Sequence, residues 1–223
     1  MNDQPIHDQD TRQRERSSPK PLSACRATVL GLNGIGRQVA LQLAALGVGR
    51  LLLVDPGRVS RRHYAAEGFA AEDVGRPKAQ AAAQAAHQLN PLLDIETTVG
   101  RRPPNWDAVD AVFCCTAARW ARQAGRRALA SGIGFYAGAN VHDGRMYLPI
   151  VSATSKNVLE EADLLPPWGE VTRRRGAVCP LHVASVAAGL LVAEFGRFVT
   201  GRGENRELHV NVETMTLTVT GLA

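Results

Sequence analysis

Apolar positions along this chain fall into two periods. Short unbroken runs, such as Ala27-Thr28-Val29-Leu30, Leu51-Leu52-Leu53-Val54 and residues 111–116, alternate with longer segments whose apolar residues recur at helical spacing. Runs of that length and composition are read as buried strands, and the longer segments as helices with one apolar face. The pattern predicts a strand at 27–30, a helix at 37–46 stopped by Gly47, and a strand at 51–54 ending at Asp55. An alanine-rich helix at 72–89, stopped by Asn90-Pro91, and a strand at 94–99 follow. Next come a strand at 111–116, a helix at 119–130, and strands at 133–138 and 145–151. A polar, Pro-bearing loop or crossover is expected at 152–176, then a long apolar helix at 179–200. Alternating strands at 208–212 and 216–219 close the chain as a hairpin. Strands alternating with helices predict an α/β fold with a mostly parallel sheet, flanking helices and a C-terminal antiparallel hairpin. No internal repeat is evident.

Composition changes that picture at the start of the chain. Residues 1–22 are polar, carry Pro5, Pro19 and Pro21, and include the Arg12-Gln13-Arg14-Glu15-Arg16 alternation. They read as a disordered arm or a short frayed helix. The expected organisation is a flexible arm over 1–24 and one folded domain over 25–223. No apolar run reaches about 18 residues, so a membrane span is not expected. The first residues lack the apolar core of a secretory signal. The four cysteines have no CxxC spacing, which argues against a disulfide framework and a four-thiolate zinc site. A reducing cytoplasm is the expected location.

Charge excludes little more. The formal charge is +5, from 26 basic and 21 acidic residues. The basic residues are arginines except for Lys20, Lys78 and Lys156. Clusters such as Arg126-Arg127 and Arg173-Arg174-Arg175 are scattered and have no interleaved aromatic residues to stack on bases. They read as solvated surface, and nucleic acid is not an expected partner. Anionic small molecules stay open.

The candidate chemistry lies after the first strand, at Gly31-Leu32-Asn33-Gly34-Ile35-Gly36. A glycine-rich strand-to-helix turn lets backbone N–H groups approach a phosphate, and the helix dipole there favours negative charge. An acid at the end of the next strand accepts ribose hydroxyls, and Asp55 stands there. The spacing departs from the dinucleotide G-x-G-x-x-G pattern, because Asn33 holds the middle position. Asparagine tolerates a left-handed backbone but brings a side chain towards the phosphates. The same glycines would also serve close helix–strand packing alone. The surrounding βαβ unit favours a Rossmann-like nucleotide turn.

Several segments in order carry a family resemblance. The 31–36 turn precedes Leu46-Gly47-Val48-Gly49-Arg50 and Leu53-Val54-Asp55, then Asp73-Val74-Gly75-Arg76-Pro77-Lys78 and Leu89-Asn90-Pro91. With residues 111–116, 133–144 and the Gly176-Ala177-Val178-Cys179-Pro180 turn, they resemble the ThiF/MoeB/HesA superfamily, the ubiquitin-activating-enzyme-like adenylyltransferases. The likeness runs over about residues 25–220. It implies binding of ATP and adenylation of the C-terminal carboxylate of a small ubiquitin-like or sulfur-carrier protein or a peptide. It also implies a homodimer, or a heterodimer with an active relative. By the same resemblance Gly31, Asn33, Gly34 and Gly36 would line the nucleotide turn and Asp55 would hold the ribose. Lys78 would neutralise the phosphates, and Arg122 would stand at the arginine that follows the family's magnesium-binding acid.

Departures from the family's pattern keep other readings open. Asp55-Pro56-Gly57 lacks the second acid of the family's turn. The asparagine, arginine and glutamine that usually follow are His63, Ala66 and Glu67, and the magnesium-binding aspartate is Ala117. Arg58, Arg61 and Arg62 either supply phosphate charge or are exposed loop residues. The zinc-binding CxxC pairs are absent, so no structural zinc is implied; no residue is assigned to a metal, and Ala117 leaves dependence on magnesium open. Cys114 and Cys115 read as packing residues on opposite faces of one strand, Cys179 as structural, and the family's sulfur-transfer cysteine would fall near Thr172. His63, His142 and His182 lack metal-ligand spacing. Three functions therefore remain: a working adenylyltransferase, a degenerate relative that binds nucleotide or a partner without adenylation, and an NAD(P)-binding oxidoreductase.

Overall fold

The computed structural model describes residues 20–62, 64–102, 105–152 and 179–221. Among the described residues its centre is a nine-stranded sheet. The strands are β1 (Arg26–Leu30), β2 (Arg50–Val54), β3 (Asp94–Thr98), β4 (Ala111–Cys114) and β5 (Phe135–Gly138). They continue with β6 (Asn140–His142), β7 (Arg145–Ser152), β8 (Arg206–Asn211) and β9 (Thr216–Gly221). Their order is β3-β2-β1-β4-β5-β7-β8-β9, with β6 paired to β7; β3, β2, β1, β4 and β5 run parallel, and β7, β8 and β9 add to them antiparallel. The α/β architecture expected from the sequence is the architecture observed.

Helices cover both faces of the parallel half. Successive residues of one strand feed two separate cores, because side chains alternate across a sheet. Ala27, Val29, Leu51, Leu53, Ala111 and Phe113 pack against α1 (Gly34–Leu46), α2 (Lys78–Leu89) and α4 (Leu181–Val199). Leu30, Leu52, Val54, Val112 and Cys114 pack against α3 (Arg119–Ala130) with Trp106 and Val109. Burial on both faces explains why these strands read as continuous apolar runs. β4 ends at Cys114 rather than at 116, and Cys115 just beyond it still falls in the opposite core from Cys114.

The structure shifts several expected boundaries. α1 begins at Gly34, so the glycine turn is itself the first helical turn. α2 begins only at Lys78, because Pro77 (φ −56°, ψ 130°) cannot sit inside a helix and holds the residue before it out of helical conformation. Residues Ala71–Asp73 instead form a single 3-10 turn. β6 is a three-residue strand with no period to announce it. α4 is a helix long and apolar enough to cross a membrane, although His182, Ser185, Glu194 and Arg197 interrupt its sequence. Its apolar face has a partner here: Phe195 meets Phe113 and Phe135 edge-on and Phe198 lies tilted against Phe135, at centroid distances of 5.5–5.7 Å on one face of the sheet. The 152–176 crossover, apart from Ser152, and most of the 1–24 arm lie outside the described residues, as do Thr172 and the arginines at 173–175.

Candidate functional site

The sheet order reverses at β1: the chain passes from β1 to β2 on one side, and β4 docks on the other. Beyond the C-terminal ends of β1 and β4 the connections diverge, and such a switch point leaves a crevice. Gly31, the first residue beyond β1 at this switch point, has φ +88°, a left-handed backbone that disfavours side chains. A Cβ on Gly31 would stand 2.5 Å from Thr116 Cγ2, so the turns after β1 and β4 touch. At Gly36 a Cβ would lie 1.8 Å from the Gly31 carbonyl oxygen. The first turn of α1 thus lies directly on the end of β1, and only glycine permits it.

Asn33 is the N-cap of α1. Its Oδ1 accepts from the N–H groups of Ile35 (3.1 Å) and Gly36 (3.3 Å), and its Nδ2 donates to the Cys115 carbonyl at 2.8 Å. The side chain therefore ties α1 to the end of β4 and occupies amides that a helix start offers to anions. Instead of pointing towards phosphates, as the sequence suggests, the side chain folds back onto the helix.

Asp55 follows β2, and the residue is 8% exposed. Its Oδ2 accepts from Leu32 N–H and its Oδ1 from Gly57 N–H, both at 2.6 Å. The carboxylate thereby fixes both the loop after β1 and its own turn, and each oxygen retains accepting capacity. Lys78, the first residue of α2, donates its backbone N–H to Gly57 O at 3.0 Å. A Cβ on Gly57 would be 3.0 Å from Asp55 Oδ1 and 3.9 Å from Lys78 Cδ and Cε. Asp55 and Lys78 therefore flank one glycine. Lys78 Nζ lies 2.8 Å from Glu67 Oε1 and 2.7 Å from Glu67 Oε2, a largely buried ion pair. Glu67 in turn rests on α1, since a Cβ on Gly34 would be 3.6 Å from Glu67 Cα.

Gly31, Asn33, Gly34, Gly36, Asp55 and Lys78 thus converge through these contacts. Arg122 lies on the α3 face of the sheet, where its charge acts on Cys114 and Tyr136. Burial pushes the Cys114 thiol up to about 11, against smaller opposing effects from Tyr136 and Arg122. Arg58 donates to Gly75 O at 2.8 Å, and Arg61 and Arg62 are exposed. His63 lies outside the described residues. In the sequence Glu67 stands out only as a replacement, because no local period links it to Lys78.

The donors for magnesium do not fit. Ala117, half-buried after β4, brings a methyl group where the resemblance calls for a carboxylate. Among the described residues, no group of three or more His, Cys, Asp or Glu side chains is placed to hold a metal ion.

Known proteins resemble this chain in sequence and in fold. The sequence model of the ThiF family matches residues 11–221. The sulfur carrier protein ThiS adenylyltransferase of Escherichia coli K12 is 36% identical over 96 residues, covering 40% of this chain and 38% of that protein. The SAMP-activating enzyme E1 of Haloferax volcanii is 37% identical over 81 residues, covering 36% of this chain and 30% of that protein. The matches thus span well under half the length of these curated relatives. Among solved structures, E. coli MccB has a TM-score of 0.72 at 14% identity, covering 99% of this chain and 71% of its own. Its complex with ATP has a TM-score of 0.69 at 14% identity, with 96% and 67% covered. These structures share the fold, and the family match extends over nearly the whole sequence that builds it: the chain belongs to the ThiF family.

Proposed function

We propose that this chain binds ATP at the 31–36 turn and adenylates the C-terminal carboxylate of a small ubiquitin-like or sulfur-carrier protein or a peptide. The observation that carries this reading is the meeting of Gly31, Asp55 and Lys78 at the sheet's switch point. In the reaction a carboxylate oxygen of the acceptor attacks the α-phosphorus. The bond to the oxygen bridging the α- and β-phosphates breaks, and pyrophosphate leaves with the electron pair. The remaining lone pairs of Asp55 accept from the ribose hydroxyls, and the Lys78 ammonium faces the phosphates. The relatives' names support the acceptor class: one adenylylates the sulfur carrier ThiS and another activates SAMP. MccB, solved with ATP, supports the nucleotide. We place the protein in the cytoplasm, as a homodimer or paired with an active relative.

Ala117 favours a second reading, a family member that binds nucleotide and partner without efficient adenylation. Losing a charge-stabilising contact typically lowers a rate by about 10²–10³. ATP–pyrophosphate exchange in the presence of candidate carriers separates the two. Rapid exchange supports adenylation. Nucleotide binding by calorimetry without exchange supports the second reading. Absence of ATP binding at millimolar concentration overturns both.

A further inference from the structure

Glu67 is a buried acid to which the reaction above gives no task. It belongs to a turn in which Phe69 N–H donates to Tyr64 O at 2.8 Å, and this turn closes over the first residues of α1. Both carboxylate oxygens face one ammonium, that of Lys78, at 2.8 and 2.7 Å. Two anionic oxygens around one ammonium is also what a phosphate would present there. The side chains of Lys78 and Glu67 are 15% and 10% exposed, so water screens this pair weakly.

Asn33 repeats the arrangement on the neighbouring donors. Its Oδ1 already accepts from the Ile35 and Gly36 amides at the helix start. Two acceptors of the chain itself therefore stand on groups that would otherwise receive phosphate oxygens. Only one of the two is charged. Asp55 adds a second carboxylate beside the Lys78 stem, and the nearby Arg58 is turned outwards to Gly75 O.

We propose that Glu67 is an internal counter-anion that holds Lys78 when no nucleotide is present and must yield it to an incoming phosphate. This rests on the nucleotide reading of Lys78. Glu67 thereby acts as a specificity-determining residue: it reduces the affinity contributed by the phosphates and leaves the affinity for the nucleoside alone. Glutamine at this position keeps the size and one acceptor oxygen but loses the charge that competes with phosphate.

The test is calorimetric titration of the full chain and of Glu67→Gln with ATP and with adenosine, alongside melting curves. Glu67→Gln should tighten ATP by about tenfold or more, an effect of the size expected when a close like charge is removed. Adenosine should bind both proteins within about twofold of each other. A merely structural role would shift both ligands or neither. ATP binding that is unchanged or weakened in a folded Glu67→Gln protein, while adenosine still binds, overturns the role of Glu67 alone. Failure of ATP and adenosine to bind either protein overturns the nucleotide reading and the proposal with it. The unmodified chain supplies a measurement independent of any variant's folding. ATP should exceed adenosine by no more than about tenfold, and a preference of about a hundredfold or more overturns the proposal.

Discussion

Replacing Gly36 by alanine sets two effects against each other. Gly36 is inside α1, where helix propensity alone would favour alanine by about 1 kcal/mol. The structure opposes this. The new Cβ would stand 1.8 Å from the Gly31 carbonyl oxygen, 2.9 Å from its carbon and 3.1 Å from Cys115 Cβ. The first two neighbours are backbone, so relief requires moving the end of β1 or the start of α1. Overpacking of this kind typically costs about 1–3 kcal/mol. Shifting Gly31 also endangers its N–H bond to Val54 O at 2.9 Å and the Asn33 bond to Cys115 O, each worth about 1 kcal/mol. The net expectation is a loss of about 2–4 kcal/mol, or a fall in Tm of about 6–12 °C for a domain this size. Gly189 and Gly196, helical glycines of α4 whose Cβ would meet nothing within 4 Å, are the controls. Alanine at either should raise Tm by about 1–4 °C. Scanning calorimetry of the three variants decides the matter. A Gly36→Ala protein that melts at or above the parent would refute the close approach of α1 to β1.

Asp55→Ala leaves the Leu32 and Gly57 N–H groups without their buried acceptor, so it should cost about 1–3 kcal/mol in denaturant unfolding and weaken ATP in calorimetry. Lys78→Ala should also weaken ATP, and two variants that bind like the parent would remove both residues from the site. Ala117→Asp should make pyrophosphate exchange magnesium-dependent, and no change with added magnesium would count against the site's remaining groups. The Cys114 thiol is pushed by burial from 9.0 to about 11, so its contribution to stability is complete below pH 9 and is lost as pH rises from 9 to 11. That contribution is about 2–3 kcal/mol, and Cys114→Ala should flatten the alkaline limb of a stability–pH curve; an unchanged slope would refute this. Light scattering should give a dimer, and a particle of the 23.9 kDa chain mass at micromolar concentration would refute it.

Much of the fold was legible because its signals are local. Buried parallel strands need apolar residues on both faces, so β1 and β2 were read to within one residue of their bounds. The 119–130 helix was read to its ends, with its apolar stripe of Ala121, Ala124, Gly125 and Ala128. The glycine turn was legible too, since a strand running straight into a helix needs residues without side chains where the two backbones meet. What escaped depends on residues brought together by folding. Pro77 delays α2 by one and a half turns against its alanine-rich pattern, and the 76–78 segment then bonds back to Gly57 and Val59 instead. Whether Asn33 faces a ligand or its own helix depends on the Cys115 carbonyl, supplied by the residue just beyond β4, far along the chain. The pairing of Glu67 with Lys78 likewise required one turn to close over α1 and another to start α2 beside Asp55. Periodicity records which face of an element is buried. The partner of a polar group is decided by the three-dimensional path of the chain, because a buried charge takes whatever opposite charge the packing brings within reach.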